Sequence, residues 1–540
     1  MKNKVPVKKL QNEELLAKIH FADSLVKEKS YTDAITVYKE VLAKIENRKD
    51  LAWDITEINR KIGDCYWFLK DNKNAIEYYE NTLKFYTNNR SIYEVLSGLY
   101  SKLDTNKTIE YYQKALALGS NESYFQNLTW LMIKDSRYRQ KDIKEIFESY
   151  VDKFRPKYLN LMPVYTHGEE RKIKDKKLNI AYVSTDLYCH AMMTFMLPIF
   201  ETHNTNKYNF TFYSINDKTD MVTDRIKNTG INFVDLSKAT PQEIARKIYE
   251  DRIDIVIDLA GYVNTKLFWL LYKPAPIQMQ YLGFLNTYGM KEVDYLITDE
   301  HSIPKEMSKF YTEKPLYLPK PLQKYCFCHP KTNVAPCNPE PPCVRNGYIT
   351  FGCFNNINKI DDYTIKLWSK LVEEIPNCKL MFYRTQMGEP ERERLTKMLK
   401  KYGADMDRII FKNEPQSPHF LIYDHADIAL DPIPFSGLTI TVETCLMGVP
   451  VLCLMHETLQ SKGTSRININ LGLEELNAKD EQDFIQKAKD IANIESIKKY
   501  REELRYKLLT SPIFNDYREM SLAFEDCFDK AWKEYCSANT

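Results

Sequence analysis

The feature that most constrains the fold is a change of texture near residue 176. Beyond it, apolar runs of strand length alternate with amphipathic stretches, and the pattern occurs twice. LNIAYVS, YNFTFYSI, IDIVIDLAG and VDYLITD make the first series; GYITFGCF, CKLMFYR, RIIF, ADIALD and PVLCL make the second. Runs this short and this apolar read as strands buried on both faces, as in a parallel sheet covered by helices. QEIARKIYED, residues 242–251, is one such covering helix. Between the series, EKPLYLPKPLQ to PCNPEPPCVRNG is proline-rich and reads as an interdomain linker. The expectation is two doubly wound α/β lobes, over 176–320 and 347–510, joined by a linker over 321–346. The closing segment 511–540 is expected to form helices packed back across the lobes.

Residues 1–160 read as helices instead, and they repeat. YTDAITVYKEVL (31–42), NKNAIEYYENTL (72–83) and NKTIEYYQKALAL (106–118) each carry a small residue four positions before a tyrosine. The pairs are Ala34 and Tyr38, Ala75 and Tyr79, Thr108 and Tyr112. A small residue lets two helices approach, and the aromatic fills the groove beside it. The second interval, 33 residues, is close to the tetratricopeptide period. These segments resemble tetratricopeptide repeats, whose stacked helix pairs form a concave surface suited to a polypeptide. The expected architecture is thus an α-solenoid followed by a two-lobed, Rossmann-type α/β region.

Composition excludes several classes of function. The 540 residues carry a net charge of +2, which gives no support for nucleic-acid binding. No apolar run is long enough to span a membrane, and MKNKVPVKKLQNEELLAKIH has no signal-peptide core. The 12 cysteines are scattered, which suggests reduced thiols and a cytoplasmic setting. CFCHPKTNVAPCNPEPPC gathers Cys326, Cys328, His329, Cys337 and Cys343, but its C-x-C spacing is not that of paired zinc ligands. No metal site is expected.

FGCFNNINKIDD, residues 351–362, carries the first chemical signal. An apolar strand end delivers Asn355, Asn356 and Lys359 to a loop that opens a helix. In open α/β sheets ligands sit at the carboxyl ends of strands, and helix amino termini attract anions. A lysine there points to an anion, most simply a phosphate.

ITFGCFNNINKI, KPAPIQMQYLGFLNTYG, VDYLITDE and DIALDPIPFSGLTITVETCLMGVPVLCL, in that family's motifs, resemble the catalytic region of the protein O-GlcNAc transferases, including the SPINDLY-type branch. The resemblance covers roughly residues 176–535 and implies a GT-B glycosyltransferase. It implies a nucleotide-sugar donor, typically UDP-GlcNAc, and transfer to Ser or Thr hydroxyls of proteins with inversion and without a metal or other cofactor. Lys359 matches the lysine that meets the diphosphate, and Asn355 and Asn356 are placed to donate to phosphate or sugar oxygens. In PFSGLTITVET, Gly437 makes a turn, Thr439 and Thr441 face the diphosphate, and Glu443 matches an acid that accepts ribose hydroxyls. His190, in STDLYCHAMMTF, matches a histidine near the reacting carbon, where imidazole chemistry suits either a base or a positioning group. His419 matches a histidine near the base, and Leu285 and Thr287 match positions lining the sugar pocket.

Departures from the family pattern concern the donor. Leu438 stands where relatives carry His or Gly, Ile440 where many carry Thr, and Leu285 where proline is usual. UDP-glucose with an Asn acceptor, GDP-fucose, and a repeat scaffold with a decayed transferase region therefore remain as alternatives. The expected partners are a nucleotide sugar and a protein or peptide acceptor gripped by the repeats.

Overall fold

The computed structural model describes residues 9–538 apart from 322, 329–331 and 333. The chain falls into two compact units that divide in sequence after Leu128. The expected helical domain ran to residue 160, so its last stretch belongs to the second unit.

The first unit is built of antiparallel helix pairs: Glu13–Lys27 with Tyr31–Ile45, Ala52–Phe68 with Asn72–Phe85, and Arg90–Tyr100 with Thr105–Ala117. The repeat residues do what their sizes suggest. Ala34, Ala75 and Thr108 are buried at the crossings, and Tyr38, Tyr79 and Tyr112 are buried beside them. A Cβ on Gly63 would lie 2.9 Å from the Tyr79 ring, so glycine there makes room for the aromatic. Tyr79 donates its hydroxyl to Asp64 Oδ1 at 2.7 Å, and Tyr38 donates to Asp23. Each acid stands in the preceding helix, fifteen residues back. That satisfies a phenol that would otherwise be buried without a partner.

The second unit holds the two lobes. The first lobe is a seven-stranded sheet of β1 (Leu178–Ser184), β2 (Tyr208–Ser214), β3 (Asn232–Asp235), β4 (Ile255–Asp258), β5 (Ile277–Gln280), β6 (Tyr295–Thr298) and β7 (Lys314–Tyr317). Its order is β3-β2-β1-β4-β5-β6-β7, every pair parallel. The second lobe holds β8 (Ile349–Cys353), β9 (Cys378–Tyr383), β10 (Ile409–Lys412), β11 (Ile428–Leu430), β12 (Val451–Leu454) and β13 (Asn477–Ala478). Its order is β10-β9-β8-β11-β12-β13, again parallel throughout. Strand order reverses between β1 and β4 in one lobe and between β8 and β11 in the other. Such switch points leave a crevice at the strands' carboxyl ends.

The helix Gln140–Leu159 packs on the first lobe. Tyr158 stacks on Phe268 at 4.9 Å, and the Gln140 and Asn286 side-chain amides bond each other reciprocally. In the linker, Tyr325 N–H donates to Ile513 O at 2.8 Å and Cys326 N–H to Thr194 O at 2.7 Å, so the segment is pinned to both lobes. His329 lies outside the described residues. The closing segment is a single helix, Tyr517–Ser537, rather than several, and it returns to the first lobe. Phe524 meets Tyr281 edge-on at 4.8 Å, and Trp532 Nε1 donates to Ile173 O at 3.1 Å. Among the described residues no helix is long and apolar enough to cross a membrane.

Candidate active site

The second lobe's switch point gathers most of the polar residues singled out from the sequence. β8 ends at Cys353, and the chain then presents Asn355, Asn356 and Lys359. Asn356 caps the short turn Ile357–Lys359, accepting from Asn358 N–H at 2.9 Å, and is otherwise exposed. Asn355 is buried, and its Oδ1 has no hydrogen-bond partner among the described residues. Asp361 caps the following helix, Asp362–Glu374, accepting from Thr364 N–H at 2.8 Å.

Lys359 reaches across the switch point. Its Nζ donates to Ser436 O at 2.9 Å and lies 4.5 Å from the centre of the Phe435 ring. Burial draws its ammonium down to about 8, against the pull of Asp431. Asp431, just past β11, is buried and accepts from Gly437 N–H at 2.7 Å and from the Ser436 hydroxyl. Burial pushes its carboxyl up to about 6, with those bonds and Lys359 opposing. At neutral pH both groups are charged, and each favours the other's charged form through space.

Gly437 is fixed by space. A Cβ there would stand 2.9 Å from Thr441 Oγ1, 3.1 Å from Asp431 Oδ1 and 3.3 Å from Asn355 Nδ2. Gly463 opens the helix Gly463–Asn470, and a Cβ on it would lie 2.3 Å from Gly437 O. Two glycines thus let a loop and a helix start meet back to back. The helix Thr439–Leu446 begins here with no side-chain cap at Leu438, leaving its first N–H groups for a ligand. Thr439 is half-buried at the first helical position. Thr441 is deeper than expected: it is buried, and its hydroxyl bonds that of Thr464 at 2.7 Å. Its role here is to tie the two helix starts together.

Glu443 lies one turn on. Tyr423 donates its hydroxyl to Glu443 Oε2 at 2.5 Å, and His419 Nε2 stands 3.5 Å from the same oxygen. The His419 side chain is 57% exposed, so it is free to reorient over a ligand.

In the first lobe, His190 follows the carboxyl end of β1 and caps the helix Ala191–Thr202. Its Nδ1 accepts from Met192 N–H at 3.3 Å and stands 3.7 Å from Asp186 Oδ2. With Nδ1 accepting, the neutral ring carries its proton on Nε2. Beside it at the same switch point, Asp258 ends β4. It is buried, accepts from the Tyr288 hydroxyl and Gly261 N–H, both at 2.6 Å, and its carboxyl is pushed up to about 6 by burial.

Thr287 is placed deeper than the expectation. Thr287 is fully buried, and its hydroxyl donates to Glu313 Oε2 at 2.7 Å, so it reaches no ligand directly. Leu285 packs against a cluster of Leu296, Ile303, Tyr311 and Leu459 that joins the two lobes. Thr287 shapes the loop from within, whereas Leu285 is only half-buried.

The residues that sequence reasoning passed over are Asp431, Ser436 and Gly463. Asp431 sits in DPIPF, which reads as a strand end. Gly463 has no local signal at all, because the peptide it contacts lies 26 positions away in the chain.

Two parallel-sheet lobes, with a lysine and an uncapped helix start at the second lobe's switch point, match the layout of the two-lobed glycosyltransferases. Residues 155–328 and 343–521 match glycosyl transferase family 41, and the chain belongs to that family. It is 29% identical over 407 residues to the SPINDLY protein of Arabidopsis thaliana, covering 73% of this chain and 43% of that protein. It is 28% identical over 397 residues to the SEC protein of the same plant, covering 70% of this chain and 40% of that one. Both bear the name "Probable UDP-N-acetylglucosamine--peptide N-acetylglucosaminyltransferase". The chain spans less than half the length of these relatives. An O-GlcNAc transferase structure from Thermobaculum terrenum shares the fold, with a TM-score of 0.74 over 98% of this chain and 99% of that one at 23% identity.

Proposed function

We propose that this chain transfers GlcNAc from UDP-GlcNAc to Ser or Thr hydroxyls of proteins, with inversion, without a metal, in the cytoplasm. The observation that carries the reading is Lys359, held at a switch point beside Phe435 and the uncapped start of Thr439–Leu446. Sugar transfer expels a nucleoside diphosphate, and charge grows on its terminal phosphate as the glycosidic bond breaks. A fixed ammonium and free N–H dipoles stabilise that charge where it develops. They supply the electrostatic role that a divalent cation fills elsewhere.

The remaining residues take roles in keeping with their surroundings. Glu443, with acceptor capacity left on its carboxylate, takes the ribose diol, and the exposed His419 lies against the base. Gly437 allows the close approach, Thr439 meets the phosphates, and Asn355 and Asn356 donate to phosphate or sugar oxygens. Thr441 and Thr287 act by holding these elements in place, and the half-buried Leu285 lines the sugar pocket. His190, protonated on Nε2, donates to an oxygen of the sugar or acceptor and so positions it. It serves as a base only if Nδ1–H turns to Asp186. A protein acceptor is gripped by the helical repeats.

The test is turnover with a protein acceptor on UDP-GlcNAc, UDP-glucose and GDP-fucose, with and without EDTA. Transfer of GlcNAc to Ser or Thr that resists EDTA is expected. Preference for another donor revises the sugar alone, and no turnover on any of them makes the chain a scaffold.

A further inference from the structure

Lys134 lies in the turn between Met132 and the helix starting at Gln140, far in sequence from the switch-point residues of both lobes. Its Nζ stands 5.3 Å from the Trp130 ring centre and 5.9 Å from that of Phe435, the ring that Lys359 meets from 4.5 Å. The turn is held to the site by its own backbone. Gln460 Nε2 donates to Ile133 O at 2.9 Å, and Ser136 N–H donates to Asp361 Oδ2 at 3.0 Å. Trp130 Nε1 donates to Tyr262 O at 2.8 Å, which fixes the other edge on the first lobe. Lys134 is therefore positioned as firmly as a residue of the lobes.

Among the described residues its charge has no counterpart. No carboxylate pairs with Lys134 among the described residues; the adjacent Asp135 is taken by Arg137. Lys359, by contrast, faces Asp431, so that pair is close to neutral overall. Burial depresses Lys134 to about 8 with nothing to offset it, and Lys134 in turn depresses Lys359. Two ammoniums near one ring, with one carboxylate that faces Lys359 alone, leave a net positive charge at the site.

We propose that Lys134 and Lys359 form a two-ammonium clamp around Phe435 that takes the diphosphate of the donor. Lys359 and the start of Thr439–Leu446 meet one side of the anion, and Lys134 meets the other. Lys134 supplies the net charge that the Lys359–Asp431 pair lacks. The inference rests on the transferase reading for the identity of the anion, though the clamp itself stands on geometry.

The full chain is titrated calorimetrically with UDP, uridine and inorganic pyrophosphate, as wild type, Lys134→Met and Lys134→Arg. Lys134→Met is expected to weaken UDP and pyrophosphate by roughly ten- to a hundredfold, the worth of a charge-assisted bond. Uridine binding should not change, and Lys134→Arg should recover most of the loss. Lys134→Gln stands in if the methionine variant melts without cooperativity. UDP and pyrophosphate binding by the neutral variant within about twofold of wild type overturns the clamp, whatever the enzyme's activity. Lys134-dependent pyrophosphate binding in a chain that transfers no sugar upholds the clamp and sinks the transferase reading.

Discussion

At Lys359 burial and bonding pull in opposite directions, and the balance is measurable. Burial lowers its ammonium to about 8, while Asp431 and the Ser436 carbonyl favour the charged form. If the charged form is the working one, kcat/KM should fall as pH rises past about 8, since that quantity reports the free enzyme. Lys359→Ala should cost about 3 to 4 kcal/mol of transition-state stabilisation, roughly a hundred- to a thousandfold in rate, with the fold intact. More than half of wild-type turnover in that variant would remove the phosphate role. Lys134 allows a cleaner test of the electrostatics, because it has no acid partner to strand. Unfolded lysine holds its proton to about 10.4, and folded Lys134 releases it near 8. Between those values the unfolded chain binds more protons, so this residue's cost to stability is full below about 8 and fades as pH rises toward 10. The facing groups are Lys359, Trp130 and Phe435, none of which supplies a compensating anion. Lys134→Met should therefore melt above wild type at pH 7, with the gap closing by about pH 10. A variant that melts lower at pH 7 would show the charge to be satisfied in a way the geometry does not contain.

Among secondary-structure elements, the second lobe depends on two helix starts meeting at glycines. Thr439–Leu446 and Gly463–Asn470 touch through Gly463 against Gly437 O and through the Thr441–Thr464 hydroxyl pair. A methyl on Gly463 would sit 2.3 Å from a backbone oxygen, which no side-chain rotation relieves. Gly463→Ala should cost about 1 to 3 kcal/mol of stability, as overpacking does, and should raise the KM for the donor by moving the first helix start. An unchanged melt together with an unchanged KM would mean the contact is slack. These elements also show which parts of the fold the sequence makes legible. The strands could be read because burial on both faces leaves uninterrupted apolar runs. The repeat could be read because one small residue and one tyrosine recur at each crossing. Lys359 could be read because strand, amides and lysine are adjacent in the chain. Gly463, Asp431 and Lys134 could not, because each acquires its meaning from a partner brought close only by the fold. Thr287 and Thr441 were misleading for the opposite reason: a hydroxyl in a motif looks ligand-directed until burial assigns it an internal partner.

For the molecule as a whole, the boundary between repeats and lobes decides what a truncation will do. The sequence reading ends the helical repeats at residue 160, ahead of the change of texture near 176, and a cut at about 150 would then spare the donor site. The structure divides after Leu128 instead. Residues 129–159 carry Trp130, which donates to Tyr262 O, Gln140, which bonds Asn286, and Lys134 beside Phe435. Removing residues 1–120 keeps these groups and takes away only helix pairs of the first unit. That protein should melt cooperatively and hydrolyse the nucleotide sugar near the wild-type rate. Its transfer to full-length protein acceptors should fall while transfer to a short peptide holds, because a tethered acceptor reaches the cleft at an effective concentration of order millimolar and a free one does not. Removing residues 1–150 should behave differently. It strips the covering from Tyr262, leaves Asn286 without the Gln140 amide and takes away the Lys134 charge, so donor hydrolysis should fall with protein transfer. Comparing the two truncations on three readouts (melt, hydrolysis, and the ratio of protein to peptide transfer) separates recruitment by the repeats from assembly of the site. Equal hydrolysis by both truncations would return the boundary to residue 160, and an unchanged protein-to-peptide ratio in the shorter deletion would deny the repeats a part in binding the acceptor.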